Sequence, residues 1–151
     1  MENKKKGFTI IELLVVISII GLLSTISIVA LNGARKKSRD AKRVGDMKQV
    51  QTALELYFND NTRYPAATGA IILGSATARV LCDAGFVAEV TSCPQNKVYM
   101  SIVPANPSPN GSDYSYTTDT NGAIYSISYT LEEATGGLSA GLHTLTQNSM
   151  N

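Results

Sequence analysis

Residues 8–34 contain a single charged side chain, Glu12, in a stretch otherwise made of apolar and small uncharged residues. The uncharged part after it, 13–34, is 22 residues long, and about 20 apolar residues suffice to cross a bilayer as a helix. A membrane-spanning helix is therefore predicted. From Arg35 the helical period continues with a different character. Val44, Met47, Val50 or Gln51, Leu54, and Tyr57 or Phe58 recur at spacings of three and four, which places them on one face. Lys42, Arg43, Asp46, Lys48 and Glu55 fall largely on the other faces. The stretch "NDNTRYP" from Asn59 supplies the stop signals. One helix over about 8–60 would be about 80 Å long at 1.5 Å per residue.

After the helix the pattern shortens to strands and turns. "AATGAIILGS" reads as a loop, and "ATARVLCDAGFV" as a short helix ending at Gly85. "KVYMSIV" reads as a strand, and the prolines of "PANPSPNGS" forbid a central strand behind it. In "DYSYTTDTNGAIYSISYT" Tyr114 and Tyr116 alternate, as do Tyr125, Ile127 and Tyr129, around Asn121-Gly122. That is the pattern of a hairpin with a tight turn and one half-buried face. The glycine-rich tail from Gly136 carries little signal. The expected fold is α+β, a long N-terminal helix packed on a small antiparallel β-sheet head. Its expected divisions are a leader at 1–7, a hydrophobic membrane or filament-core helix at 8–34, an amphipathic helix at 35–61 and a β-rich head at 62–151.

Length and charge sharpen this picture. The 151 residues allow one ordinary domain and one apolar segment. The net charge of +1 hides an asymmetry: Lys4, Lys5 and Lys6 form one basic cluster, and Arg35, Lys36, Lys37, Arg39, Lys42, Arg43 and Lys48 form another. Beyond Lys48 acidic residues predominate, so direct nucleic-acid binding by the head is not expected. The second basic cluster would favour a cytoplasmic location by the positive-inside rule. An exported C-terminal part is nevertheless favoured by its tyrosine-rich β pattern and by Cys82 and Cys93, which suit an oxidising exterior. A disulfide between these two is expected, with free buried thiols as the alternative. A cleaved secretory signal fits poorly, because the apolar run is too long and Glu12 interrupts its beginning.

Candidate catalytic chemistry is sparse. His143 has no metal-ligand partner at useful spacing and is expected in an exposed loop. No phosphate-binding glycine loop, nucleophile elbow or paired-carboxylate motif is present, and no enzyme activity, cofactor or metal is expected. "TDTNG" at 118–122 offers oxygens that suit calcium, but the turn alone accounts for it.

Glu12 remains to be explained, since a carboxylate in hydrocarbon costs roughly 2.5–3.5 kcal/mol on insertion scales and usually has a partner or a function. The stretch "KKKGFTIIELLVVISIIGLL" closely resembles the N-terminus of type IV pilins and of the pseudopilins of type II secretion, with specific matches at Gly7, Phe8 and Glu12. The resemblance implies that a prepilin peptidase cuts after Gly7 on the cytoplasmic side and that Phe8 becomes an N-methylated terminus. It also implies that Glu12 meets the N-terminal amine of a neighbouring subunit. Gly21 resembles a glycine near which family helices lose regularity inside a filament. Two departures are plain: no proline interrupts the helix, and the cysteines lie away from the C-terminus.

Removing residues 1–7 deletes Glu2 and all three leader lysines. The apolar helix then loses its polar tether and is free to exchange lipid for helix packing, and one open-ended head-to-tail contact repeated gives a helical filament. The implied partners are copies of the same chain, the peptidase and methyltransferase, an inner-membrane assembly platform, and the membrane before assembly. The preferred reading is a bacterial subunit that starts as a single-pass cytoplasmic-membrane protein and ends in an extracellular type IV pilus serving adhesion, motility or DNA uptake. A periplasmic pseudopilin of type II secretion is the alternative. A membrane-anchored binding module is the rival of another class, and Glu12 speaks against it, because a mere anchor gains nothing from a carboxylate in lipid.

Overall fold

The computed structural model describes residues 7–95 and 97–150; most of the leader, residues 1–6, lies outside them. A 52-residue helix, α1 (Ile10–Asn61), is followed by β1 (Ile71–Ile72), β2 (Val80–Cys82), β3 (Gly85–Val87), a 3₁₀ turn (Val90–Ser92), β4 (Val98–Met100), β5 (Ser115–Thr118), β6 (Tyr125–Leu131) and β7 (Gly141–Thr146). This is the α+β plan, one long helix with antiparallel sheets. Chain contacts divide it into two compact units, Met1–Lys36 and Lys37–Asn151.

In the second unit β1, β5, β6 and β7 form one sheet in the order β1-β5-β6-β7, and β3, β2 and β4 form another in the order β3-β2-β4. Every pairing is antiparallel. Strand β6 alternates strictly between buried and partly exposed positions, as a period-2 pattern on a one-sided sheet requires. Its inner residues Tyr125, Ile127, Tyr129 and Leu131 meet Met47, Val50, Ala53, Leu54 and Tyr57 of α1 in one apolar core with Tyr114, Tyr116 and Leu145. The helix stripe at spacings of three and four is thus the face that the sheet covers. Each fully buried Leu, Ile or Met side chain there contributes about 1.5–3 kcal/mol by leaving water.

Three elements differ from the sequence reading. The predicted short helix at "ATARVLCDAGFV" is instead the hairpin β2–β3, with Val80 opposite Val87 and Cys82 opposite Gly85. Its Val, Leu, Phe and Val suit a strand, and Cys82 is held by a disulfide that local propensity does not register. The predicted loop at "AATGAIILGS" contributes β1, paired to β5 through Ile71 and Tyr116. The glycine-rich tail contributes β7, which pairs with β6 along six residues.

The turn between β5 and β6 is a six-residue connection, 119–124, rather than a two-residue turn. Gly122 does adopt a positive φ of 68°. A Cβ there would also stand 2.9 Å from the Tyr64 carbonyl oxygen, because the Tyr64 N–H donates to the Gly122 carbonyl at 2.8 Å.

Three charged residues of α1 lie inside the head rather than in solvent. Asp40, Arg43 and Asp46 are buried. The Arg43 guanidinium donates from Nε to Asn106 Oδ1 (2.8 Å), from Nη1 to Asp40 Oδ1 (2.6 Å) and Glu132 Oε1 (2.8 Å), and from Nη2 to the carbonyls of Pro107 and Asn110. Arg39 binds Glu132 in a two-pronged contact, 2.7 Å on each side. Asp40 accepts the backbone N–H groups of Glu132 and Glu133. A buried charge is tolerated only when paired and hydrogen-bonded, and this set fixes α1 to the end of β6 and to the 106–110 loop.

Candidate assembly site

In the first unit, α1 is long and apolar enough to cross a membrane. Phe8, Ile10, Ile11 and the large apolar residues from Leu13 to Leu31 are exposed on the described chain. The span's hydroxyls are satisfied locally. Ser18, Ser24 and Ser27 donate to carbonyls four residues back, and Thr25 donates to that of Leu22, so none offers an unpaired donor to lipid. The helix runs unbroken through Gly21.

Glu12 is not solitary at its end of the helix. One of its oxygens, Oε2, accepts the Thr9 backbone N–H at 2.8 Å and the Thr9 hydroxyl at 2.7 Å, while the Glu12 N–H donates to Thr9 Oγ1 at 3.3 Å. This reciprocal pairing is a capping box, which satisfies first-turn N–H groups left open by the helix. It is encoded by "TIIE", a Thr-x-x-Glu signature at the start of an apolar run that the sequence reading passed over. Gly7 and Phe8, the candidate cleavage residues, are exposed just before the helix, and a Cβ at Gly7 would meet nothing within 4 Å.

The remaining candidates lie in the second unit. Cys82 and Cys93 are joined in a disulfide, buried with Val80 in a small cluster of its own. Asp83 brings a carboxylate oxygen within 4.8 Å of the two sulfurs, but as a disulfide the sulfurs are not thiolate ligands. His143, expected in an exposed loop, is 7% exposed in β7, with Nε2 at 2.7 Å from the Ser139 carbonyl and its ring tilted on Tyr129. It is a packed residue because β7, unread in the sequence, carries it on the inner face. Asp119 Oδ1 accepts the N–H groups of Ala123 and Ile124 at 2.7 and 3.0 Å, so this oxygen is committed to the turn.

Residues 3–28 match the family described as the prokaryotic N-terminal methylation motif. The type II secretion system core protein G of Klebsiella pneumoniae is 32% identical over 108 residues, which is 68% of this chain and 77% of that protein. The core protein G of Dickeya chrysanthemi is 30% identical over 110 residues, 69% of this chain and 72% of that protein. The chain belongs to the type IV pilin and type II secretion pseudopilin family. The type IV wide pilus major component PilA4 of Thermus thermophilus is 39% identical over 72 residues, 48% of this chain and 54% of that protein. No solved structure gives a significant match.

Proposed function

We propose that this pilin-family chain is a structural subunit, not an enzyme, that joins a helical filament through α1 after a peptidase cuts between Gly7 and Phe8. The observation that carries this reading is an exposed apolar stretch, residues 8–34, whose one carboxylate, Glu12, sits four residues past the new terminus at Phe8. Cleavage creates an ammonium at Phe8, which the family methylates. Before assembly the helix holds the subunit in the cytoplasmic membrane, with an assembly platform as its first partner.

Within that role the pseudopilus of type II secretion is the better supported filament, because similarity to core protein G covers more than two thirds of the chain. The extracellular type IV pilus, preferred on the sequence, is the second reading and is supported by the match to PilA4 over about half the chain. Mass spectrometry of the native protein, with immunogold imaging of sheared cell surfaces at native expression, tests all of this. A mature chain starting at Phe8 is expected; one retaining residues 1–7 overturns the processing step. Loss of protein export on deletion, with no long fibres, supports the pseudopilus, whereas long labelled fibres identify a pilus. A cleaved subunit that stays singly in the membrane overturns the filament role.

A further inference from the structure

Cations crowd the chain just where the uncharged run ends. Arg35, Lys36 and Lys37 follow Ala34 directly on α1, and all three are exposed. At 1.5 Å per residue the 22 uncharged residues 13–34 extend about 33 Å, against about 30 Å for the hydrocarbon of a bilayer. In a membrane-spanning chain these cations therefore stand at the level of the lipid headgroups. No carboxylate beside them supplies a counter-charge. Residues 13–39 contain no Asp or Glu, and Asp40 is fully buried, committed to Arg43 and to the N–H groups of Glu132 and Glu133. Arg39, the next cation along, is held by Glu132. Among the described residues, Arg35 and Lys37 have no ion pair or side-chain hydrogen bond.

The arrangement of the charges selects their partner. Successive residues of an α-helix are turned by about 100°, so Arg35, Lys36 and Lys37 leave the helix in three directions that together cover more than half of its circumference. A docked protein or a nucleic acid approaches a helix from one side and calls for cations at spacings of three and four. A bilayer surrounds the helix, and its headgroups meet a ring of charge on every side. Basic residues next to a span are attracted to anionic lipid within a short distance of the surface, and long basic side chains reach the phosphates while their stems stay on apolar surface.

We propose that Arg35 and Lys37, with Lys36 between them, bind the phosphate groups of anionic phospholipids in the leaflet where the span ends. The ring gives these cations a counter-charge that the chain does not supply. It also opposes departure from the membrane: a subunit entering a filament gives up its lipid phosphates, so the contact holds the helix in the bilayer until helix packing replaces it. The proposal rests on the membrane reading of residues 8–34 and not on the choice between pilus and pseudopilus.

The test uses the full chain in a neutral oligoethylene-glycol detergent, mixed with equal amounts of phosphatidylglycerol and phosphatidylcholine, with lipid adducts counted by native mass spectrometry. Phosphatidylglycerol adducts are expected to predominate, and to predominate equally when millimolar inorganic phosphate is present. Each cation near an anionic surface strengthens binding about fivefold. The double variant Arg35→Gln, Lys37→Gln is therefore expected to lower the ratio of phosphatidylglycerol to phosphatidylcholine adducts at least that much, with phosphatidylcholine adducts and the unfolding midpoint of the head unchanged. Each single variant is expected to lower the ratio in the same direction, and Arg35→Lys with Lys37→Arg to keep it. Lys48→Gln, about 16 Å further along the helix than Lys37, is expected to leave the ratio unchanged. Equal adducts of the two lipids on the wild-type chain overturn the proposal. So does an unchanged ratio in the double variant, an equal fall in Lys48→Gln, or loss of the preference to inorganic phosphate, which would mark a site for free anions. Absence of adducts of either lipid overturns the membrane reading along with it.

Discussion

Arg43 shows how much one side chain contributes when its whole donor set is used. All of its nitrogens are engaged, and its side chain is fully buried. Removing it leaves Asp40 and Glu132 without their shared cation, and breaking a buried pair from one side costs about 3–5 kcal/mol. Arg43→Ala is therefore expected to lower the denaturant-unfolding free energy of the chain by about that amount. Arg43→Lys is expected to recover only a fraction, because an ammonium cannot reach the Asn106, Pro107 and Asn110 oxygens together. Gly111 lies in the same contact. Its φ is 94°, and a Cβ would fall 2.7 Å from Arg43 Nη2, so Gly111→Ala should destabilise through both strain and collision.

The same residues set an acid limit. Hydrogen bonds from Arg39, then Arg43 and Asn110, outweigh burial and hold the Glu132 carboxyl far below the usual carboxylate range. A carboxyl depressed in the folded state binds fewer protons there than when unfolded, so its stabilisation is complete above the ordinary Glu value. It is lost as pH falls below about 4.3 toward the folded value. Asp46 acts in the opposite sense: burial raises its carboxyl despite the hydrogen bond from Tyr114, so protonating it favours the fold. Glu132→Gln should therefore lower the unfolding midpoint at pH 7 and flatten its fall between pH 5 and 3. An unchanged acid limb in that variant would remove Glu132 from the account.

Among the elements, the three-stranded sheet depends on its cross-link more than the four-stranded one. Strands β2, β3 and β4 have three residues each, and Cys82, at the end of β2, and Cys93 close a loop of sequence separation 11 that contains β3. In the chain-entropy view a loop of that size is worth about 3 kcal/mol. Reduction, or Cys82→Ser with Cys93→Ser, should lower the thermal midpoint by several degrees, with hydrogen exchange rising first in β2 and β3. Equal thiol labelling of the denatured protein with and without reductant would show that no bridge exists. What was legible in the sequence follows from the same physics. Helix α1 and the pair β5–β6 carry their own period, so local pattern sufficed. Strands β2, β3 and β7 are short or rich in small polar residues, and tertiary partners decide them: Cys93 for β2, and six residues of β6 for β7. Apart from Asp40, three residues back, the Arg43 set was unreadable because its partners lie 63 to 93 residues away in the chain from Arg43 and Arg39. The family motif around Gly7, Phe8 and Glu12 was legible because it is contiguous, within the matched residues 3–28.

For the whole molecule, the decisive question is what Glu12 does once the helix leaves water. The capping box gives the carboxylate a role within one chain, through Thr9. The filament reading gives it a second role, as the counter-charge to the Phe8 ammonium of a neighbour. The two roles separate by substitution. Gln retains the acceptor and fits a capping box as well as Glu does, but has no charge to offset an ammonium in a medium where solitary charge is costly. Val removes both and makes membrane insertion easier by roughly 2.5–3.5 kcal/mol. If Glu12 serves the cap alone, Glu12→Gln assembles normally and only Glu12→Val fails. If it pairs across subunits, both variants insert and are cleaved at Gly7 but neither forms filaments in wild-type numbers. Thr9→Val, which loses the side-chain half of the cap and keeps the charge, then still assembles. The pairing account predicts the second pattern, read from cleaved-subunit mass and filament counts in the same cells. Normal filaments from cleaved Glu12→Gln subunits would assign the carboxylate to helix capping and leave the register of assembly to the apolar contacts of 13–34.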